Sequence, residues 1–241
     1  MDKAIKNLIR LLVVNNTQYE IDTANFWCDC FKLFGQMPNA NSKFKRIANA
    51  SDGEQLNDYL AEIRYALILA GLGFQVVIEP LGKKGPDLEI TRNGYDIFVE
   101  VSRFRLVNVG PGKVSAHLEV YGNLEKEFTK TLGKIRDKLR QVGDKNSVIA
   151  IWNDDECIDE LASRFAVKHL NDEKNRNGYQ VPDNLLFVIY GSNWINISQK
   201  KQLYCYQLQV LKEPFLGLTK ELESCKVSGL IQKVLNQVEE G

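Results

Sequence analysis

GKKGPDLEITRNGYDIFVEVSRFR, residues Gly82–Arg105, reads as a loop, a strand, a tight turn and a second strand. Asp87–Thr91 is the first strand. Asn93-Gly94 is the tight-turn pair that joins two antiparallel strands. Tyr95–Ser102 is the second, with Ile97, Val99 and Val101 on one face and Phe98, Glu100 and Ser102 on the other. A hairpin of this kind brings Asp87, at the start of the first strand, beside Glu100 on the second. Two carboxylates at one end of a sheet form an oxygen-only donor pair, which suits Mg²⁺ or Mn²⁺. Such an ion polarises a phosphodiester and helps to ionise water. Plainer readings stand beside this one. Asp87 follows Gly-Pro and fits a turn, and Glu100 fits a solvent-facing edge strand.

Outward from this hairpin, the upstream sequence is helical. Leu56, Leu60, Ile63, Leu67 and Ala70 form an apolar stripe after Ser51-Asp52-Gly53-Glu54, with Ser51 as a candidate cap. Glu62 lies on the border of that stripe, where it can supply a third carboxylate or remain a surface glutamate. Phe74–Glu79 is a further strand. The N-terminal 50 residues read as a helix over 2–14, a second from about Ala24 to Phe34 capped by Thr23, and a loop over Gln36–Asn41. Downstream, a helix spans about 123–142, Ser147–Trp152 and Leu185–Tyr190 are buried strands, and 157–170 is helical between them. A helix between two apolar strands favours a parallel pair. A final helix is expected near 227–239. The fold class is α/β, a mixed central sheet flanked by helices, divided as 1–50 (N-terminal helical segment), 51–200 (core) and 201–241 (C-terminal extension).

A glutamate-bearing helix, three strands carrying Pro86-Asp87 and Glu100-Val101, a helix and a strand make an αβββαβ order. Over roughly residues 54–152 this resembles the PD-(D/E)xK nuclease superfamily, the restriction-endonuclease-like fold. The resemblance implies that Asp87 and Glu100 bind a catalytic Mg²⁺ or Mn²⁺, that Val101 offers its carbonyl to it, and that Glu62 assists. The family has a lysine two residues after the glutamate, where this chain has Ser102. A hydroxyl cannot replace an ammonium charge. Three readings follow. Another base reaches in, from Lys84, Arg103, Arg105, Lys134 or Lys138; or the metal carries the reaction while Ser102 orients water; or the domain binds without cutting. The expected function is a metal-dependent nuclease acting on DNA, with a non-cutting domain that binds nucleic acid or protein as the alternative.

Composition bounds these readings. The chain has 241 residues, 44% hydrophobic and 26% charged, enough for a core without disulfides. Lys+Arg and Asp+Glu are both 31, so whole-chain charge argues for no polyanionic partner. Lys126, Lys130, Lys134 and Lys138 recur every fourth residue. They read as a solvated face or, together with Lys83, Lys84, Arg103 and Arg105, as phosphate contacts. Five scattered cysteines without a CxxC pair, and only two histidines, His117 and His169, disfavour zinc and triad chemistry. No apolar run reaches the roughly 20 residues of a membrane span. The expectation is a cytoplasmic protein with no membrane partner, with a homodimer left open.

Overall fold

The computed structural model describes residues 1–82, 85–104, 124–139, 144–153, 160–177, 181–196, 201–227, 229 and 231. It has two compact units. The first comprises Met1–Val101 together with the described residues from Lys226 onward, and the second runs from Ser102 to Cys225. The class is α/β, with six strands in mixed antiparallel and parallel pairing and seven helices among the described residues.

The first unit opens with three helices, α1 (Asp2–Leu12), α2 (Gln18–Phe34) and α3 (Ala40–Ala48). α2 starts six residues earlier than the apolar pattern suggests. Thr17, not Thr23, caps it, through a reciprocal capping box with Glu20. Thr23 instead donates its hydroxyl to the Tyr19 carbonyl within the helix, at 2.8 Å. α3 was not expected from the sequence, which reads as a loop up to Asn41. The left-handed Asn39 (φ 65°) ends that loop and α3 begins one residue later. Phe44 of α3 packs its ring between those of Phe31 and Phe34 of α2. From α1, the Asn7 amide donates to the carbonyls of Ile47 and Ala50, at 2.7 and 3.1 Å. The middle and the C-terminal end of α3 are thereby held by its neighbours.

α4 (Gly53–Gly71) follows, capped by Asp52, which accepts from the Gln55 N–H at 2.8 Å. Its apolar stripe, Leu56, Leu60, Ile63 and Leu67, is buried, and the helix packs on β1 (Gln75–Ile78) and β2 (Leu88–Arg92). β1, β2 and β3 (Tyr95–Phe104) form an antiparallel meander. Asn93 and Gly94, both at positive φ (53° and 80°), make the tight turn between β2 and β3. Ile97 to Val101 are all buried, so β3 is covered on both faces. A solvent-facing edge strand is therefore not the explanation of Glu100.

In the second unit, α5 (Leu124–Leu139) precedes β4 (Ser147–Asn153), all seven residues of which are buried. β4 pairs in parallel with β5 (Leu185–Asn196), with α6 (Glu160–Asn177) between them in sequence, as the apolar strands require. β6 (Lys201–Gln207) adds an antiparallel strand beside β5, and α7 (Phe215–Ser224) packs against it. These last two were unresolved in the sequence pattern, and most of the helix expected near 227–239 lies outside the described residues. Phe104, Ile135, Ile149, Ile151, Leu170 and Val188 belong to this unit's core. No helix among the described residues is long and apolar enough to cross a membrane.

Candidate active site

The β2–β3 register ends with Leu88 opposite Val99. Continued by one residue, the same register would set Asp87 opposite Glu100. Opposed residues of an antiparallel pair share a face, with Cβ atoms about 4.5–5.5 Å apart. The Val101 N–H donates to Asp87 Oδ2 at 2.8 Å, fixing that carboxylate against the strand carrying Glu100. The Asp87 carbonyl in turn accepts the N–H of Glu79 at 2.8 Å. Glu79 closes β1 in the left-handed region, at φ 46°, an uncommon conformation for a residue other than glycine. Glu100 is only 2% exposed. A carboxylate buried this far is costly to leave unsatisfied, so its burial marks the position as more than a strand filler.

Glu62 joins this group from α4. Burial raises its carboxyl, the negative charge of Asp87 raises it further, and it titrates at about 7 even with the Lys43 ammonium beside it. The charge of Asp87 thus acts on Glu62 across from the hairpin. Lys43 comes from α3 and has no exposed side-chain surface. Its ammonium ion-pairs with Glu62, and with Glu79 at 2.9 Å. It also lies 5.4 Å from the ring centroid of Tyr59. Arg46, one turn on in α3, reaches Glu79 at 3.0 Å. Burial pulls Lys43 down, but the two carboxylates more than offset it, and the lysine is held charged above its ordinary range. Burial acts on Glu79 in the opposite sense, and hydrogen bonding to Lys43 followed by the charges of Lys43 and Arg46 brings its carboxyl below the ordinary value.

Of the residues singled out from the sequence, Asp87 and Val101 are joined by a hydrogen bond, and the charge of Asp87 acts on Glu62. Lys43 was missed. It falls in the apolar stripe Ala40, Lys43, Phe44 and Ile47 of α3, all buried; a lysine at an i, i+3, i+4, i+7 position was the available signal. Ser102 is half-buried and Arg103 is 3% exposed; both are counted with the second unit. Lys130, Lys134 and Lys138 lie half-buried on α5 of that unit, Lys130 with its ammonium 5.5 Å from the Phe104 ring centroid. The side chain of Lys126, and Lys83, Lys84, Arg105 and His117, lie outside the described residues. His169 packs edge-on against Phe128, 5.4 Å between centroids.

No three histidine, cysteine, aspartate or glutamate side chains among the described residues stand close enough to hold a metal by themselves. Mg²⁺ does not require that. It keeps several waters and is commonly held by one or two carboxylates plus substrate phosphate. An aspartate, a glutamate and a backbone carbonyl are donors of that oxygen-only type. Glu62 is already engaged by Lys43. Comparison with known protein families, characterised proteins and solved structures finds no match to this chain.

Proposed function

We propose that the protein is a metal-dependent nuclease that hydrolyses phosphodiester bonds of DNA, built on a restriction-endonuclease-like core. The observation that carries this reading is the hydrogen bond from the Val101 N–H to Asp87 at the end of the β2–β3 ladder, next to the buried Glu100. Asp87, Glu100 and the Val101 carbonyl would hold Mg²⁺ or Mn²⁺. When bound, such an ion neutralises charge on a phosphodiester and lowers the pKa of water. Asp87 is oriented by the Val101 N–H. Glu62, beside Asp87, is placed to orient water toward the phosphate. Lys43 supplies a fixed ammonium within the same carboxylate cluster, the charge that Ser102 lacks. Within the second unit, the lysines of α5 are candidates for phosphate contacts, whereas Arg103 is buried. A reading as a cytoplasmic protein agrees with the four described cysteines, Cys28, Cys30, Cys205 and Cys225, all free thiols.

One observation favours a second reading, a nuclease-like domain that binds nucleic acid without cutting. Lys43 already neutralises Glu62 and Glu79 from within, as a built-in cation does in a structural network. The test is incubation with supercoiled, linear, single-stranded and branched DNA in the presence of Mg²⁺ or Mn²⁺. The expected result is cleavage that EDTA stops and that Asp87→Ala lowers by roughly 10²-fold or more, since even positioning groups behind metal ligands cost roughly 10–100-fold. Retained binding without cleavage of any form by either ion would leave the second reading in its place.

A further inference from the structure

A cleft of about 960 Å³ opens in the first unit along α3, the start of α4 and the turn after β1. Its size is that of sites for small ligands, roughly 300–1,000 Å³, but its lining is unlike the usual apolar pocket. Asn41, Lys45, Arg46, Asn49, Gln55 and Tyr59 supply amides, cations and one aromatic ring. Glu79 forms the wall shared with the carboxylate cluster. Its side chain holds Arg46 at the cleft and Lys43 beside Glu62, while its N–H is bonded to the Asp87 carbonyl.

We infer that this cleft seats one unpaired nucleotide of a nucleic-acid strand, its phosphate on Lys45 and Arg46 and its base against the amides beside Tyr59. The guanidinium fork and the exposed ammonium match phosphate oxygens. Carboxamides carry a donor and an acceptor side by side, the complement of a base edge; the Asn49 amide nitrogen already donates to the Lys45 carbonyl and the Gln55 oxygen already accepts the Ser51 N–H, so Asn41 supplies the donor–acceptor pair, with the Asn49 oxygen and the Gln55 amide nitrogen beside it. Three amides would be surplus for a bare anion. A base must be out of a duplex to offer its pairing edge to them, and the cleft's volume is that of a small ligand rather than of a helix. The inference rests on the nuclease reading only in taking neighbouring Asp87 as the place where the backbone is cut.

The test uses the full chain in EDTA, so that binding is read without cleavage. Fluorescence anisotropy follows a short labelled single strand, with the same sequence as duplex and inorganic phosphate as competitors. Lys45 and Asn41 are exposed, so Lys45→Glu and Asn41→Ala leave the fold intact, which a thermal melt verifies. Asn41→Ala should weaken single-strand binding roughly 5- to 100-fold, the range of a good base contact. Lys45→Glu should weaken it and reduce the salt slope by about one. Duplex and phosphate should compete poorly. Unchanged affinity in both variants overturns the inference, as does competition by phosphate or duplex equal to that of the strand. Cleavage with unchanged variant binding would remove the cleft and keep the nuclease; binding at the cleft without cleavage would do the reverse.

Discussion

Lys43 has no exposed side-chain surface and sits between the carboxylates of Glu62 and Glu79. Removing one member of a buried ion pair costs about 3–5 kcal/mol, because the partner charge stays behind. Lys43→Met should therefore be strongly destabilising in chemical denaturation, and Glu62→Gln added to it should recover part of the loss. Additive effects of the two changes would contradict the pairing. Glu62 also makes a prediction about pH. Its carboxyl titrates at about 7 in the folded chain against an ordinary 4.5. A raised acid contributes stability that is complete below the ordinary value and is lost as pH climbs through the folded one. In EDTA, the wild type should lose on the order of 3 kcal/mol between about pH 4.5 and 7 from this group. Glu79, lowered, works in the other direction and loses its contribution only as pH falls below 4.5. Glu62→Gln should flatten the stability profile from pH 5 to 8; equal slopes in variant and wild type would refute the assignment.

The β2–β3 hairpin and α3 show how far local patterns reach. The hairpin was legible because its turn pair, its alternation and its two carboxylates lie within Gly82–Arg105, and the β2–β3 register runs up to Leu88 opposite Val99, next to both carboxylates. The burial of Glu100 was not legible, since an alternating strand reads the same whether its second face meets solvent or protein. α3 was hidden for another reason. Nine residues with Asn39 at positive φ before them carry weak local preference; the helix is held by Phe31, Phe34 and Asn7 from distant segments. β6 and α7 were similarly obscure, their pairing being set by β5. At the level of α5, the regular lysines make a separate prediction. If they meet phosphates, Lys130→Ala and Lys134→Ala should each reduce the salt slope of DNA binding by about one while affecting different sequences alike. An unchanged slope would return them to a solvated face.

For the whole molecule, the α/β class and the element order from α4 to β5 follow from periodicity, whereas the activity depends on what Asp87 and Glu100 bind. Charge balance over the chain is neutral, so any attraction for DNA must be local, and a bound ion would be part of it. A calorimetric titration of the full chain with Mn²⁺ near pH 7.5 asks that question without needing the right substrate. The account predicts saturable binding in the wild type that is lost in both Asp87→Ala and Glu100→Gln, with each variant still giving a cooperative thermal melt. Absence of binding in the wild type, or binding that persists unchanged in both folded variants, would contradict it.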